Sequence, residues 1–307
     1  MPTPNEIIQE IHELLDKRVE GFTESMPSVQ KKMYAEVLAI AKDLDTYADG
    51  KIKPTKNNVL KIAKIKQRLN EVVLDGKYYK ELNKVIDTYE KITTLQNAYF
   101  TAMVGQFGVP AVLAEIQKIS IDITIEKMGK EGMNAGVINS VRDILNKNVT
   151  SGGKITDFIE ETRVYLTDTD EGDGALKKYA KTYVTDALNQ YSAQYNQLIS
   201  DDLGFKFFRY AGSLRETSRE FCIKLIDARK TGCLEFIHVT QFSELIAGKI
   251  CGEQIDLNKK SGLPNGMKKG TNVSNLYVNR GGWGCNHQFY GVPKAIVPKA
   301  IWDQYEN

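Results

Sequence analysis

All four cysteines of the 307-residue chain, Cys222, Cys233, Cys251 and Cys285, lie between residues 219 and 287, together with His238 and His287, two of its three histidines. Two knots bracket this stretch, Thr217-Ser218-Arg219-Glu220-Phe221-Cys222 at one end and Arg280-Gly281-Gly282-Trp283-Gly284-Cys285-Asn286-His287 at the other. Around them the predicted regular structure is short. Strands are expected at Phe205 to Tyr210, Leu276 to Val278 and Gln288 to Tyr290, a short helix after Thr240, and a long loop over the Gly-, Lys-, Asn- and Ser-rich residues Asn258 to Asn275. A domain of this kind has a thin core and needs a staple.

Thiolate sulfur and imidazole nitrogen are ligands that zinc prefers, so Cys222, Cys285 and His287 are candidate ligands of a structural Zn2+, with Cys251, Cys233 or His238 as the candidate fourth. Such an ion would join residues 63 positions apart. Only Cys285-x-His287 has the close spacing of a zinc knuckle. The competing reading makes Cys222 and Cys285 small buried apolar residues, with Phe221, Trp283, Phe289 and Tyr290 packing in place of a metal. In either case the two knots are expected to meet, with Phe221 and Trp283 in their shared core. Arg219 and Arg280 each sit beside a turn whose backbone carbonyls a planar guanidinium fork can tie, and Arg219 is expected to bond backbone or a carboxylate there.

The preceding two-thirds of the chain reads as helices. Thr3-Pro4-Asn5-Glu6 is a helix start, followed by Ile7, Ile8, Ile11, Leu14, Leu15 and Val19 on one face, with His12 off the stripe and expected in solvent. Further helices are predicted over residues 28–48, with Tyr47 inward, over 55–75, with Val59 and Ile62 inward, and from about Tyr78 to Met103. Residues 109–128 alternate like a strand but also fit a helix, which is the reading adopted. Helices near 134–150 and 156–166 and a long one over 175–199 complete the series. The fold class expected is therefore mainly α with a small C-terminal α+β domain: an antiparallel helical region over 1–200, with a subdivision considered near 105–133, and a mixed Cys/His domain over 201–307.

A formal net charge of +2 excludes general electrostatic coating of nucleic acid or membrane, so any such contact must be local. The local candidate is Lys56, Lys61, Lys64, Lys66 and Arg68, a positive flank suited to DNA phosphates, although lysines opposite an apolar stripe more often form a solvated face. No stretch has the length of a membrane span and no signal-peptide pattern opens the sequence, so a soluble chain with reduced thiols is expected. Zinc-protease, serine-hydrolase and phosphate-loop motifs are missing, and the chain is not expected to be an enzyme.

Three motifs occur in order: Phe205-x-Phe207-Phe208-x-Tyr210-Ala211-Gly212, Thr217-Ser218-Arg219-x-Phe221-Cys222, and Gly281-Gly282-Trp283-x-Cys285-x-His287 followed by Pro293. They are preceded by Tyr179-Ala180-x-x-Tyr183-x-x-Asp186-Ala187-Leu188-x-x-Tyr191. This order resembles the C-terminal signature of phage minor head proteins of the Mu F-like head morphogenesis group, over about residues 150–293. The chain departs from it at Asn286, where relatives often carry Arg, and in the additional Cys233 and Cys251. The resemblance implies a structural virion protein of the head or head–tail connector, present in the host cytoplasm during assembly. It would associate with the portal or other virion proteins in the capsid interior, touch packaged DNA, and act in head assembly and DNA packaging or ejection, its oligomeric state being set by the assembly. The alternative is a metal- or thiol-dependent hydrolase of nucleic acid or peptidoglycan, centred on Cys222, Cys285 and His287.

Overall fold

A computed structural model describes residues 2–74 and 76–305; the expected end of the third helix, at Asp75, lies outside them. The helices are α1 (Pro4–Asp43), α2 (Lys56–Ala63), α3 (Ile65–Leu74), α4 (Gly76–Val104), α5 (Val112–Met128), α6 (Lys130–Met133), α7 (Asn139–Thr150), α8 (Ile155–Leu166) and α9 (Ala175–Asp202). After them come β1 (Phe207–Ala211), α10 (Glu220–Lys230), β2 (Ile237–His238), α11 (Phe242–Ile246), β3 (Lys249–Ile250), β4 (Glu253–Gln254), α12 (Leu276–Asn279), β5 (Gln288–Val292) and α13 (Lys299–Trp302). The fold is mainly α with a small α+β region.

Several local expectations change. The two helices expected before residue 48 are one, because α1 runs through Pro27. The ring removes an N–H, yet Ser25 and Ser28 donate their hydroxyls back to the carbonyls of Phe22 and Ser25, occupying backbone acceptors around the proline. Val59 and Tyr47 are exposed rather than inward, since α2 buries Asn58 and Ile62 instead. Asn58 accepts from the Asp45 amide and donates to the carbonyls of Asp45 and Lys53, so a polar side chain occupies a core position to satisfy a loop. Leu276-Tyr277-Val278 is helical and not a strand: Tyr277 and Leu276 both turn inward, which a pleat would not allow.

The chain divides into two compact units, and they do not coincide with a cut at residue 200. One consists of residues 18–86 and 122–184, the other of residues 1–17, 87–121 and 185–307. Among the described residues the first has helices and no strand, only isolated bridges such as that of Thr46 with Ile52. Its core holds Phe22, Met33, Leu69, Tyr78, Leu82, Val141 and Phe158, and Tyr78 donates its buried hydroxyl to the Met128 carbonyl at 2.8 Å. A π-helical turn at Asn134–Ile138 interrupts it, where Asn70 donates to Asn134.

The second unit carries the cysteines. Its sheet has the order β2-β1-β5, all antiparallel, with Phe207 paired to both His238 and Val292 and Tyr210 paired to Phe289. One face packs on α10, α11 and α12 through Phe208, Tyr210, Phe221, Leu225, Phe242, Tyr277 and Phe289. The expected long loop supplies Leu263 and Met267 to the same core. Residues of α4 and α9 reach β5 by a buried polar chain: Asn196 donates to Gln96, Gln96 to Ser192, and Ser192 to Gln288. Tyr99 donates to the Gly291 carbonyl, and the Gly291 amide donates to Asn196. Residues before position 200 therefore complete the mixed domain. A cut at 200 separates these partners.

Candidate metal centre

The second knot begins as α12 ends. Arg280 stands at φ +46°, a conformation costly for a non-glycine residue, and its side chain is fully buried. The guanidinium explains the strain. It donates to the carbonyl of Asn189 on α9 at 2.8 Å and to that of Cys285 at 3.1 Å, so one planar fork ties the loop to the helix. Asp186, one helical turn before Asn189, accepts the amide of Gly284 at 2.8 Å. Between these anchors the chain turns at Gly281 and Gly282 and brings Cys285 inward.

The first knot begins with a tight turn in which the Arg215 amide donates to the Ser218 hydroxyl and the Ser218 amide donates to the Arg215 carbonyl. Arg219 is the N-cap of α10 and donates to the Trp283 carbonyl of the other knot. Phe221, Cys222, Leu225 and Ile226 then face the core, at helical spacing. This helix was missed from the sequence although the apolar i, i+1, i+4, i+5 pattern marks it. Cys222 enters the site from its first turn.

The two knots meet. The sulfurs of Cys222 and Cys285 are 3.6 Å apart, the Cys285 sulfur is 3.7 Å from Nδ1 of His287, and the three potential ligand atoms all lie within 4.8 Å of one another. Metal–sulfur bonds of about 2.3 Å and metal–nitrogen bonds of about 2.0 Å at tetrahedral angles separate two sulfurs by about 3.8 Å, and sulfur from nitrogen by about 3.5 Å. Two edges of the observed triangle therefore already have the lengths of a tetrahedral site. The group can hold a metal ion, and its sulfur and imidazole donors suit a borderline-to-soft one such as zinc.

Glycine is required at two places around it. A Cβ on Gly281 would lie 2.3 Å from the Cys222 sulfur and 3.2 Å from that of Cys285, so the sulfurs occupy the space of a side chain. A Cβ on Gly212, at φ +147°, would lie 2.7 Å from Cδ2 of His287. Tyr210 closes another side: its ring stacks on His287 at 5.6 Å between centroids, and its hydroxyl donates to the Cys222 sulfur at 3.3 Å. Burial holds that phenol well above its usual range. The Cys285 thiol is held well below the usual range, first by the hydrogen bond from Cys222 and further by His287 and Arg280. Cys222 moves the other way, raised by its hydrogen bond with Cys285 and by burial. The two sulfurs are thus pushed in opposite directions beside an imidazole, with a buried guanidinium nearby.

Four expectations are corrected here. Cys233 and Cys251 form a disulfide, so neither is a reduced thiol or a fourth ligand. His238 stacks on Tyr305 at 4.3 Å and bonds Thr240, away from the metal group. Trp283 is 58% exposed, with Lys268 3.9 Å above its ring, whereas Phe221 is buried as expected. His12 is also not in solvent. It is 5% exposed, its Nε2 lies 3.3 Å from the Tyr290 hydroxyl, and burial, helped by His287, pushes its pKa down to about 3. An off-stripe position on a single helix carried no sign of this, because the covering residues lie more than 270 positions away.

The positive flank lies in the other unit. Lys61 contacts the Asp43 carbonyl and the Asp45 carboxylate, and Arg68 pairs with Glu36 at 3.6 Å; Lys56 and Lys64 are exposed and Lys66 is half-buried. Two of the five charges are therefore matched by acidic neighbours. No helix of the described residues is long and apolar enough to cross a membrane. No protein-family model, curated protein or solved structure matches the chain.

Proposed function

We propose that this chain is a structural minor head protein of a tailed bacteriophage, whose C-terminal part is held together by a structural Zn2+ on Cys222, Cys285 and His287. The observation that carries the reading is the convergence of the signature. Asp186, the Tyr210–Gly212 strand end, the Arg219–Cys222 helix start and the Gly281–His287 turn are far apart in sequence, yet they bond or touch one another around a single point. Motifs that share a packed knot act as one structural device, which suits a scaffold protein. The protein would associate with the portal or the capsid interior in the virion, after assembly in the host cytoplasm. Its exposed Lys56 and Lys64, with the half-buried Lys66, are the residues left for phosphate contact.

The hydrolase alternative draws support from the lowered Cys285 thiol beside His287. Against it, Cys222, Cys285 and His287 are exposed by only 2%, 4% and 2%, which leaves no room for a polymer substrate at the sulfur. Mass spectrometry of purified virions, with a pull-down on the portal protein, tests the main reading. The chain is expected in both, and absence from both overturns it. Elemental analysis of the purified full chain tests the ion, with about one zinc per chain expected.

A further inference from the structure

Within the described residues, Cys222, Cys285 and His287 form a group of three, and a tetrahedral ion has four corners. A small cavity of about 40 Å³ touches all three and is otherwise lined by Arg215, Thr217, Ser218, Arg219, Gly284 and Asn286. One probe-sized space of about 10–15 Å³ suffices for a water, so this one holds a few water-sized atoms and no more. Its walls are biased toward negative charge. No side chain caps the 11-residue helix α10, so the amides of its first turn face this end with the positive pole of the helix. Arg219 contributes a guanidinium, which donates to the Trp283 carbonyl, and Ser218 and Thr217 contribute hydroxyls. Arg215 is half satisfied already, because it pairs with Asp16. His287, 2% exposed, lines this cavity as well, with its Nδ1 3.7 Å from the Cys285 sulfur.

We infer that an ion held by Cys222, Cys285 and His287 takes its fourth ligand from solution, as an oxyanion oxygen seated in this cavity against Arg219 and the amino end of α10. The inference rests on the metal part of the function proposed above. A divalent ion with two thiolates and a neutral imidazole carries no net charge, so the remaining positive groups of the cavity favour an anion over water in the last position. Carboxylate and phosphate share the required chemistry, an oxygen donor with further oxygens free to meet the guanidinium.

The full chain loaded with Co2+ separates the two claims. Thiolate-to-cobalt charge-transfer absorption reports the three protein ligands, and the visible ligand-field bands report the fourth. Sodium acetate and sodium phosphate are titrated in turn. A saturable change in the visible bands with either salt is expected, weakened about tenfold or more in Arg219→Met and less in Arg219→Lys. Which salt acts identifies the oxyanion class. Charge-transfer bands with visible bands indifferent to both salts would mean that water or an internal group holds the fourth position, and would overturn the inference while sparing the metal. An Arg219→Met response equal to that of the wild type would overturn it as well. Absence of the charge-transfer bands removes the metal reading and this inference together.

Discussion

At the residue scale the most informative side chain is His12, a titratable group sealed against Tyr290 with its Nδ1 lacking a hydrogen-bond partner. Its folded pKa of about 3 lies below the ordinary value of 6.5, so below that ordinary value the unfolded chain binds a proton that the folded chain refuses. Stability is therefore lost as pH falls from about 6.5 toward 3, amounting to about 2 kcal/mol between pH 7 and 5 from this group alone. Urea unfolding of the metal-free chain at those two pH values should show the loss, and His12→Gln, which keeps a hydrogen-bonding group for Tyr290, should remove most of it. An identical pH dependence in the variant would contradict the burial. Gly281 gives a second test of the same scale. Its missing Cβ is the space the Cys222 sulfur fills, so Gly281→Ala should destabilise the chain by about 1–3 kcal/mol and weaken Co2+ binding, read from the charge-transfer band.

At the scale of elements, the disulfide between Cys233 and Cys251 joins the loop after α10 to the turn between β3 and β4 across a sequence separation of 18. Loop closure of that length restricts the unfolded chain, and replacing both cysteines by serine should lower stability by about 3 kcal/mol in urea melts. Alkylation of the unfolded, unreduced chain should modify Cys222 and Cys285 alone. What could be read from the sequence follows the range of the forces involved. Helices α4, α5, α7, α8 and α9, strands β1 and β5 and the meeting of Cys222 with Cys285 all rest on local periodicity or on residue chemistry, and they were legible. The continuity of α1 past Pro27 rests on the local bonds of Ser25 and Ser28, a compensation that a helix-breaking residue hides, while the exposure of Trp283 depends on how distant positions pack. So does the disulfide, because four cysteines permit three pairings and spacing does not select among them. The inward turn of Arg280 was anticipated only as a carbonyl tie; that its partner is Asn189, 91 positions away, is a property of the fold.

At the scale of the molecule, the mixed sheet belongs to a unit that also contains residues 1–17, 87–121 and 185–200. The consequence is energetic. In a fragment of residues 201–307, Gln288 would lose Ser192, the Gly291 amide and carbonyl would lose Asn196 and Tyr99, and Arg280 would lose the Asn189 carbonyl. Each of these hydrogen bonds contributes about 0.5–1.5 kcal/mol net, one from a charged donor about 1.5–3 kcal/mol, and the apolar surface that α4 and α9 cover would face water as well. Together these losses are comparable to the whole stability of a domain, roughly 5–15 kcal/mol. The fragment alone should therefore be unfolded or molten, with poor amide dispersion in a two-dimensional NMR spectrum and rapid proteolysis, even when zinc is supplied. Metal adds stability only by binding the folded arrangement of Cys222, Cys285 and His287, and that arrangement needs Asn189 and Asp186 to hold the second knot in place. A fragment starting at residue 201 that gives a dispersed spectrum with zinc would show that the metal knot folds without α9, and would restore a division near residue 200.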